Sequence, residues 1–182
     1  MSHESFRDRL NTLAGTTSQD PGGFLEGLSP IHLDWHMAPP GYGFLLFHNR
    51  VVRLFKAIVA PAVEPEIVPY TLDDLEAMGI ERFEPDLSEV DALAEMAAFS
   101  DALESWHNTA HGAIGAATNT PMHDARQNVF FRPFWQFHFF IDDLFGVVLG
   151  QYGERAHPGQ FVTLSAVAAH IEARHHGWVP RI

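Results

Sequence analysis

The spacing of apolar and polar residues along the chain predicts a mainly α fold. Apolar side chains recur at intervals of three and four, which is the period of an amphipathic helix, and no alternating run is long enough for a strand. The helical pattern covers residues 4–14, 44–59, 86–112, 132–149 and 163–175, with a break expected near residues 99–101. Polar stretches, or stretches rich in proline and glycine, separate these segments at residues 15–23, 39–43, 61–69 and 115–128.

Capping signals predict two shorter helical stretches. Ser29 and Pro30 suit a cap and a first helical position, so a helical turn is expected to begin there. Thr71 precedes a leucine and two acids, and carboxylates stabilise the positive end of a helix dipole. The chain has 182 residues and no internal repeat, so one domain over residues 1–182 is expected.

Composition and charge narrow the classes of function. The net charge is −12 with neutral histidines, so the surface repels phosphates, and neither nucleic acid nor an anionic membrane is an expected partner. The chain has no cysteine, which excludes disulfides, thiolate metal sites and cysteine nucleophiles. The N-terminus lacks the apolar stretch of a secretory signal, so a cytoplasmic location is expected, with partner-assisted export left open.

The most apolar stretch, residues 130–149, is predicted to be a buried core helix. Four ionisable side chains interrupt it, and a bilayer tolerates such side chains poorly. They are Arg132, His138, Asp142 and Asp143.

Two histidines four residues apart, His107 and His111, are the strongest candidates for chemistry. On a helix these positions share a face, so both imidazoles can point at one metal ion. His138 lies within the next predicted helix, and the intervening loop is long enough for antiparallel packing. Helix bundles build metal sites from facing helices in this way. Asp142, four residues after His138, is placed to accept the second ring N–H of that histidine.

The N-terminal half offers a second set of three histidines. His32 and His36 are again four residues apart, and His48 lies on the following predicted helix. Neutral imidazole is a good ligand for copper, zinc, iron and nickel. Two sets of three histidines in one small chain therefore suggest a protein with a pair of metal ions, with copper as the preferred metal.

The residues of the second half resemble a motif of the type 3 copper proteins, the family of tyrosinases, catechol oxidases and haemocyanins. That motif has a histidine–asparagine pair and a second histidine shortly after it on the same helix, then a loop, a proline with an aromatic run, and a ligand histidine with aspartate four residues later. This chain reads HNTAH at residues 107–111, RPFWQFH at residues 132–138 and DDLF at residues 142–145. One departure is Phe137, where family members often have a histidine.

The first copper motif of the family ends in Phe-Leu-Pro-Trp-His-Arg, and this chain reads FLLFHNR at residues 44–50. The resemblance makes His48 the last ligand of that site and His36 the middle ligand. The family's first ligand usually lies further upstream, where this chain has no histidine except His3. His32 is chosen as the first ligand because it pairs with His36 at helical spacing.

The resemblance implies an antiparallel four-helix bundle that holds a dinuclear copper centre. The implied ligands are His32, His36, His48, His107, His111 and His138. The implied activity is that of an oxidase that converts catechols, o-aminophenols or monophenols to quinones with dioxygen. Asn108 matches the residue that in tyrosinases helps to hold a water able to deprotonate a phenol; a plain position on the helix surface is its other interpretation. That water also needs a glutamate, and Glu104 and Glu95 lie nearby.

The same ligands are compatible with two other functions. A haemocyanin-like protein would bind dioxygen without turning over a substrate, and a histidine-rich bundle would bind zinc or copper without redox chemistry. Core histidines bonded to backbone carbonyls are the purely structural interpretation. Dioxygen and a small phenol are the expected partners of the oxidase, while a copper-delivery protein and a homo-oligomer are left open.

Overall fold

The structure, a computed structural model, describes residues 5–20, 23–36, 44, 48, 51–53, 55–56, 67–83 and 93–156. Its helices with defined ends are α1 (Phe6–Leu13), α2 (Phe24–His36), α3 (Leu72–Ala77), α4 (Leu93–Thr118) and α5 (Arg132–Ala156), and a 3₁₀ turn lies at Asn128–Phe130. Within these ranges every regular element is helical, which confirms the mainly α prediction. The predicted helix over residues 163–175 lies outside the described residues, and the four-helix bundle and the single domain stay predictions.

The first predicted helix is confirmed as α1. Ser5 is its N-cap and accepts a hydrogen bond from the backbone N–H of Asp8, and the carboxylate of Asp8 lies in the first turn. Leu10 is fully buried on the inner face. An ion pair ties α1 to α2, because Arg7 Nε lies 2.7 Å from Glu26 Oε1.

The start of α2 differs from the prediction. The helix begins at Phe24, upstream of the predicted serine–proline start, and Pro30 lies inside it. Its first N–H groups donate to side chains that precede it, Phe24 N to Thr16 Oγ1 at 3.2 Å and Leu25 N to Asn11 Oδ1 at 3.4 Å. Because these acceptors lie eight and fourteen residues upstream, a local capping pattern does not reveal them.

The segment that carries His48 is helical wherever it is described. We call it the His48 segment, and its described residues are Phe44, His48, Val51, Val52, Arg53, Phe55 and Lys56. Its apolar members face the core, with Val52 and Phe55 fully buried. The predicted helix over residues 44–59 is thus confirmed at these positions, and the rest of that range lies outside the described residues.

Residues 67–70 pack on α5, where Tyr70 N donates to Gln136 O at 3.2 Å and Gln136 Nε2 donates to Val68 O at 3.0 Å. The predicted helix start at Thr71 is confirmed as a capping box. Thr71 Oγ1 accepts the N–H of Asp74, and the Asp74 carboxylate accepts the N–H of Thr71.

α4 is one continuous helix, so the predicted break is wrong. Phe99, Ser100 and Leu103 are all buried, and their packing on one side of the helix outweighs the local polar signal. The helix also continues into the stretch predicted to be irregular and ends at Thr118. Asn119 then adopts a φ of 52°, and a residue in this left-handed region ends a helix.

α5 runs antiparallel to α4. Trp106 of α4 contacts Phe140 of α5 with ring centroids 6.1 Å apart, whereas His111, further along α4, contacts the earlier Phe134 at 6.1 Å. Falling residue number in one helix therefore matches rising number in the other. This register brings His107, near the middle of α4, beside His138 in the second turn of α5, and their ring centroids are 5.1 Å apart.

The first half of α5 is a buried core helix, as predicted. Trp135 is fully buried, stacks on Phe55 with centroids 3.8 Å apart, and donates from Nε1 to Val129 O at 2.9 Å. Among the described residues, no helix combines the length and the apolar character that crossing a membrane requires.

The unexpected start of α2 gives a testable consequence for stability. Asn11→Ala removes the acceptor for Leu25 N, and we expect it to lower the free energy of unfolding by about 1–2 kcal/mol. Urea unfolding followed by circular dichroism measures this. The exposed Gln19→Ala change should alter stability by less than about 0.5 kcal/mol; equal effects of the two variants would show that Asn11 is not a cap.

Candidate metal centre

α4 places His107 and His111 on its buried face, as the sequence predicts. Both side chains are buried, on the same side of the helix as Leu103, Ala110 and Ile114. Their Nε2 atoms lie 2.8 Å apart, so both rings point at the same place. The i,i+4 spacing thus produces the expected convergence.

α5 adds His138 to this pair. The ring is fully buried, and its Nε2 lies 3.1 Å from Nε2 of His107. The aromatic residues around His138 hold it in place, since Phe134 stacks on it with centroids 3.8 Å apart. The structure therefore brings the rings of the predicted C-terminal set, His107, His111 and His138, into contact, with Nε2 of His107 near that of each of the other two.

The other ring nitrogen of each histidine faces a hydrogen-bond acceptor. Nδ1 of His111 lies 2.7 Å from Met122 O, and Nδ1 of His138 lies 2.7 Å from Phe134 O. Nδ1 of His107 lies 3.2 Å from Asn108 Oδ1. A carbonyl oxygen only accepts, so these contacts assign the proton to Nδ1 and leave a lone pair on each Nε2.

The predicted role of Asp142 is wrong. Its carboxylate lies 3.5 Å from Lys56 Nζ, while the carbonyl of Phe134 takes the N–H of His138. The reason is helix geometry, because a side chain leans toward the N-terminal turn and meets the i−4 carbonyl before it meets the side chain at i+4. The partner of the His138 N–H is therefore a backbone carbonyl and not the predicted carboxylate.

Three nitrogens this close need a proton or a cation between them. Nε2 of His107 lies 2.8 Å from Nε2 of His111 and 3.1 Å from Nε2 of His138, and both of these nitrogens carry a lone pair. A neutral His107 carries at most one proton there, so it satisfies at most one of these contacts. A metal ion bound between His107 and either neighbour satisfies that contact, because two imidazole nitrogens about 2.0–2.1 Å from one ion stand about 2.8–3.4 Å apart. The observed spacings fit a metal ion.

The N-terminal set is built in the same way. Nε2 of His36 lies 3.1 Å from Nε2 of His32, and Nδ1 of His32 lies 3.2 Å from Ala125 O. Nδ1 of His48 lies 2.7 Å from Phe44 O. The candidate ligand atoms of His32, His36 and His48 all lie within 4.8 Å of one another, so the structure brings this predicted set together as well.

His48 lies between the two sets, which the sequence did not indicate. Its ring centroid is 4.9 Å from that of His138 and 5.0 Å from that of His107, against 6.1 Å to His32 and 6.4 Å to His36. The candidate ligand atoms of His48, His107 and His138 also lie within 4.8 Å of one another. The six histidines therefore form one continuous cluster. The sequence does not reveal this, because spacing along the chain does not encode the distances between helices.

Residues that are not ligands shape the cluster. Phe137, which stands where the resembled motif often has a second histidine, stacks on His107 with centroids 5.4 Å apart and an interplanar angle of 13°. Asn108 is exposed, and its described contact is the one to His107 Nδ1. The carbonyls of Met122 and Ala125 are functional groups that sequence reasoning missed, since a backbone acceptor leaves no side-chain signal.

Burial keeps these histidines neutral. Desolvation is the largest cause that lowers the pKa of each, and it lowers the pKa of both His36 and His111 to about 4. At His111 the hydrogen bond to Met122 O opposes this effect in part. The pKa is lowered well below the usual value at the four others, which are His32, His48, His107 and His138. Neutral imidazole is the form that binds a metal ion.

Comparison of the chain with protein-family models, with curated proteins and with solved structures gives no match. The side-chain geometry supports a coarser conclusion by itself: the buried histidine groups are suited to binding a metal ion.

The lowered pKa values predict how acid destabilises the metal-free protein. At a pH between the unfolded histidine pKa of about 6.5 and the lower folded pKa, the unfolded chain binds more protons than the folded one. The stability contributed by the neutral histidines is therefore full at neutral pH and is lost as the pH is lowered. For His111, with a folded pKa of about 4, the loss is about 1.4 kcal/mol per pH unit.

Urea unfolding between about pH 7 and about pH 5, above the range where most carboxylates titrate, measures this dependence. We expect a steep slope in the wild type and a shallower one in His111→Gln. Equal slopes for the two proteins would contradict the assignment of a buried, neutral His111.

Proposed function

We propose that this protein binds two copper ions at its six-histidine cluster and uses dioxygen to oxidise catechols, o-aminophenols or monophenols to quinones. The observation that carries the proposal is that Nε2 of His107 lies 2.8 Å from Nε2 of His111 and 3.1 Å from Nε2 of His138. The N-terminal set lies in ring contact with them, since His36 stacks on His107 with centroids 5.9 Å apart. The resemblance of the two motifs to those of type 3 copper proteins supports the same assignment.

The composition of the ligand set favours copper. The candidate ligand groups found among the described residues contain histidine only, with no carboxylate. Non-haem iron and magnesium sites usually include carboxylates, and structural zinc sites usually include thiolates, which this chain lacks. Copper(II) also binds nitrogen ligands more tightly than the other divalent ions of its row. A cluster of neutral imidazoles therefore suits copper best.

A pair of copper ions, when bound, supplies two-electron exchange with dioxygen. In the overall reaction two catechols give up four electrons and four protons, and these reduce one dioxygen to two waters. The chain contributes by holding the rings of His32, His48, His107, His111 and His138 through Nδ1, so that Nε2 stays directed inward. Aromatic walls exclude water, with Phe44 over His48 at 4.2 Å and Phe134 over His138 at 3.8 Å between centroids.

Asn108 contributes as a positioning residue in this proposal. Its Oδ1 lies 3.2 Å from His107 Nδ1 and keeps the proton there, so Nε2 remains a ligand. Its exposure on α4 leaves it free to contact a water as well, which is the role that the resemblance implies. Glu104, one turn earlier, is half-buried, and burial raises the pKa of its carboxyl group. That environment suits a carboxyl that accepts a proton from a phenol through water.

Access to the cluster is proposed on the side of His36. This ring is half-buried, whereas the other five histidines are buried. Dioxygen and a small planar phenol would approach there and meet aromatic and imidazole faces, which favour flat, electron-rich molecules.

The position of His48 favours a second candidate function. A site formed by His48, His107 and His138 would bind a single ion and draw His48 away from His32 and His36. Such a protein would hold zinc or copper without oxidising phenols. A haemocyanin-like dioxygen carrier would use the same six ligands as the oxidase and differ in turnover alone.

Metal content and turnover together separate these functions. The oxidase should bind two copper ions per chain, take up dioxygen and form quinone from a catechol, which absorption spectroscopy follows. Reversible oxygenation without quinone would identify a carrier. Uptake of one zinc ion per chain, with no oxygen chemistry after copper loading, would reject the copper proposal.

Removal of single ligands should abolish turnover while leaving the helices in place. We expect His111→Ala and His138→Ala to lower catechol oxidation by at least about 100-fold, since each removes one of three ligands from an ion. Thr109→Ala, on the exposed side of the same helix, is the control and should retain activity. His32→Ala tests the N-terminal set, and full activity in it would show that His32 is not a ligand.

A further inference from the structure

The loop between α4 and α5 contacts both histidine sets. Met122 O accepts from Nδ1 of His111 at 2.7 Å, and Ala125 O accepts from Nδ1 of His32 at 3.2 Å. Two carbonyls three residues apart thus orient one ligand from each set. The loop is also tied to α2 one turn before His32, where Ser29 Oγ donates to Arg126 O at 2.6 Å.

A hydrogen-bonded turn centred on Asp124 joins these two carbonyls. The Asp124 carboxylate accepts from Arg126 N at 2.9 Å and from Gln127 Nε2 at 2.7 Å. Its backbone carbonyl accepts from the N–H groups of Gln127 and Asn128, both at 2.9 Å. Because Met122 precedes Asp124 by two residues and Ala125 follows it directly, this turn connects the two carbonyls through a short stretch of hydrogen-bonded backbone.

The loop is pressed against α4 at Gly115. A Cβ at this position would lie 2.9 Å from Thr120 O and 3.3 Å from the Cβ of Met122, so glycine permits the close approach. Asn128, which is buried, adds a second donor to the same acceptor, since its Nδ2 lies 3.3 Å from Met122 O. The Met122 carbonyl is thereby fixed from three directions.

The remaining orienting contacts are independent of the loop. His48 and His138 each use the carbonyl of their own helix four residues earlier, at 2.7 Å in both cases, and His107 uses the side chain of the adjacent Asn108. Among the contacts of the described residues, the loop therefore orients His32 and His111, one ligand in each set.

We propose that the α4–α5 loop is a shared positioning element that makes metal uptake by the two histidine sets positively cooperative. Binding at the C-terminal set fixes the ring of His111, and thus the Met122 carbonyl, the Asp124 turn and the Ala125 carbonyl that orients His32. The coupling acts equally in the reverse direction, as binding linkage requires. This inference rests on the proposed function in one respect, which is that two ions bind.

Asp124→Ala tests the proposal, because it opens the turn and leaves all six histidines and both carbonyls in the chain. In the metal-free protein, imidazole ¹⁵N spectra should show that the Nδ1–H signals of both His32 and His111 shift or broaden. Those of His48 and His138 should stay in place and serve as internal references. A change confined to one of the two loop-bound histidines would overturn the shared role.

Copper(I) titrated without oxygen against a chromophoric chelator gives the second readout. The wild type should bind two ions cooperatively, and Asp124→Ala should lose cooperativity and bind each ion about 10–100-fold more weakly. Asp124→Asn keeps an acceptor for Arg126 N and should restore the wild-type isotherm. Two ions bound by Asp124→Ala with unchanged affinity would overturn the coupling alone, whereas a wild type that binds a single ion would overturn the two-copper proposal and the coupling with it.

A matched pair of glycine variants keeps the test independent of the Asp124 turn. Gly115→Ala should displace the Met122 carbonyl, shift the His111 signal and weaken copper(I) binding at least about 10-fold. Gly112→Ala adds the same methyl group one turn away on the same helix, where nothing lies within 4 Å, and should bind copper(I) as the wild type does. Equal isotherms for the two variants would contradict the role of the loop.

Discussion

A buried imidazole nitrogen needs a partner, and this requirement governs the whole centre of the molecule. Each ring has two nitrogens, and the fold gives an outward acceptor to Nδ1 in His32, His48, His107, His111 and His138. Once that acceptor takes the proton, Nε2 is left with a lone pair directed into the cluster. The tautomer of each ring is therefore set from outside, by groups that never contact a metal ion. A change in any of these acceptors would turn a ligand into a donor that repels a cation.

The acceptors come from two sources, and the difference has consequences. His48 and His138 take theirs from the preceding turn of their own helix, so their orientation survives as long as the helix does. His32 and His111 take theirs from the α4–α5 loop, so their orientation depends on how the chain returns after Asn119. Long helices thus provide the ligands, while a short, tightly bonded loop decides whether two of them are aligned.

The sequence predicts the part of this arrangement that follows from local periodicity. The i,i+4 spacing of His107 and His111 and the aromatic helix around His138 were sufficient to predict that these three rings lie together. Three features were not predictable because their causes lie far away in sequence or in the backbone. α2 begins early because Asn11 and Thr16 cap it, His138 bonds to Phe134 O instead of Asp142, and the loop carbonyls have no side-chain signature. The place of His48 between the two sets depends on helix packing, which spacing does not encode.

The partition of His48 decides what kind of centre the cluster forms. Its Nδ1 is committed to Phe44 O, so a neutral ring has one lone pair and serves one ion at a time. If His48 joins His32 and His36, each half of the cluster has three nitrogens, and three ligands leave a position open for a substrate, as in catalytic sites. If His48 joins His107, His111 and His138, four nitrogens would close one site, which is typical of structural metals, and His32 and His36 would remain as a pair.

The distances between ring centroids favour the arrangement in which His48 joins His107 and His138. The arrangement in which His48 joins His32 and His36 is favoured by its use of all six histidines in two equal sets. An open position is what oxygen chemistry requires, so the oxidase proposal depends on a side chain that the fold places within reach of both sets.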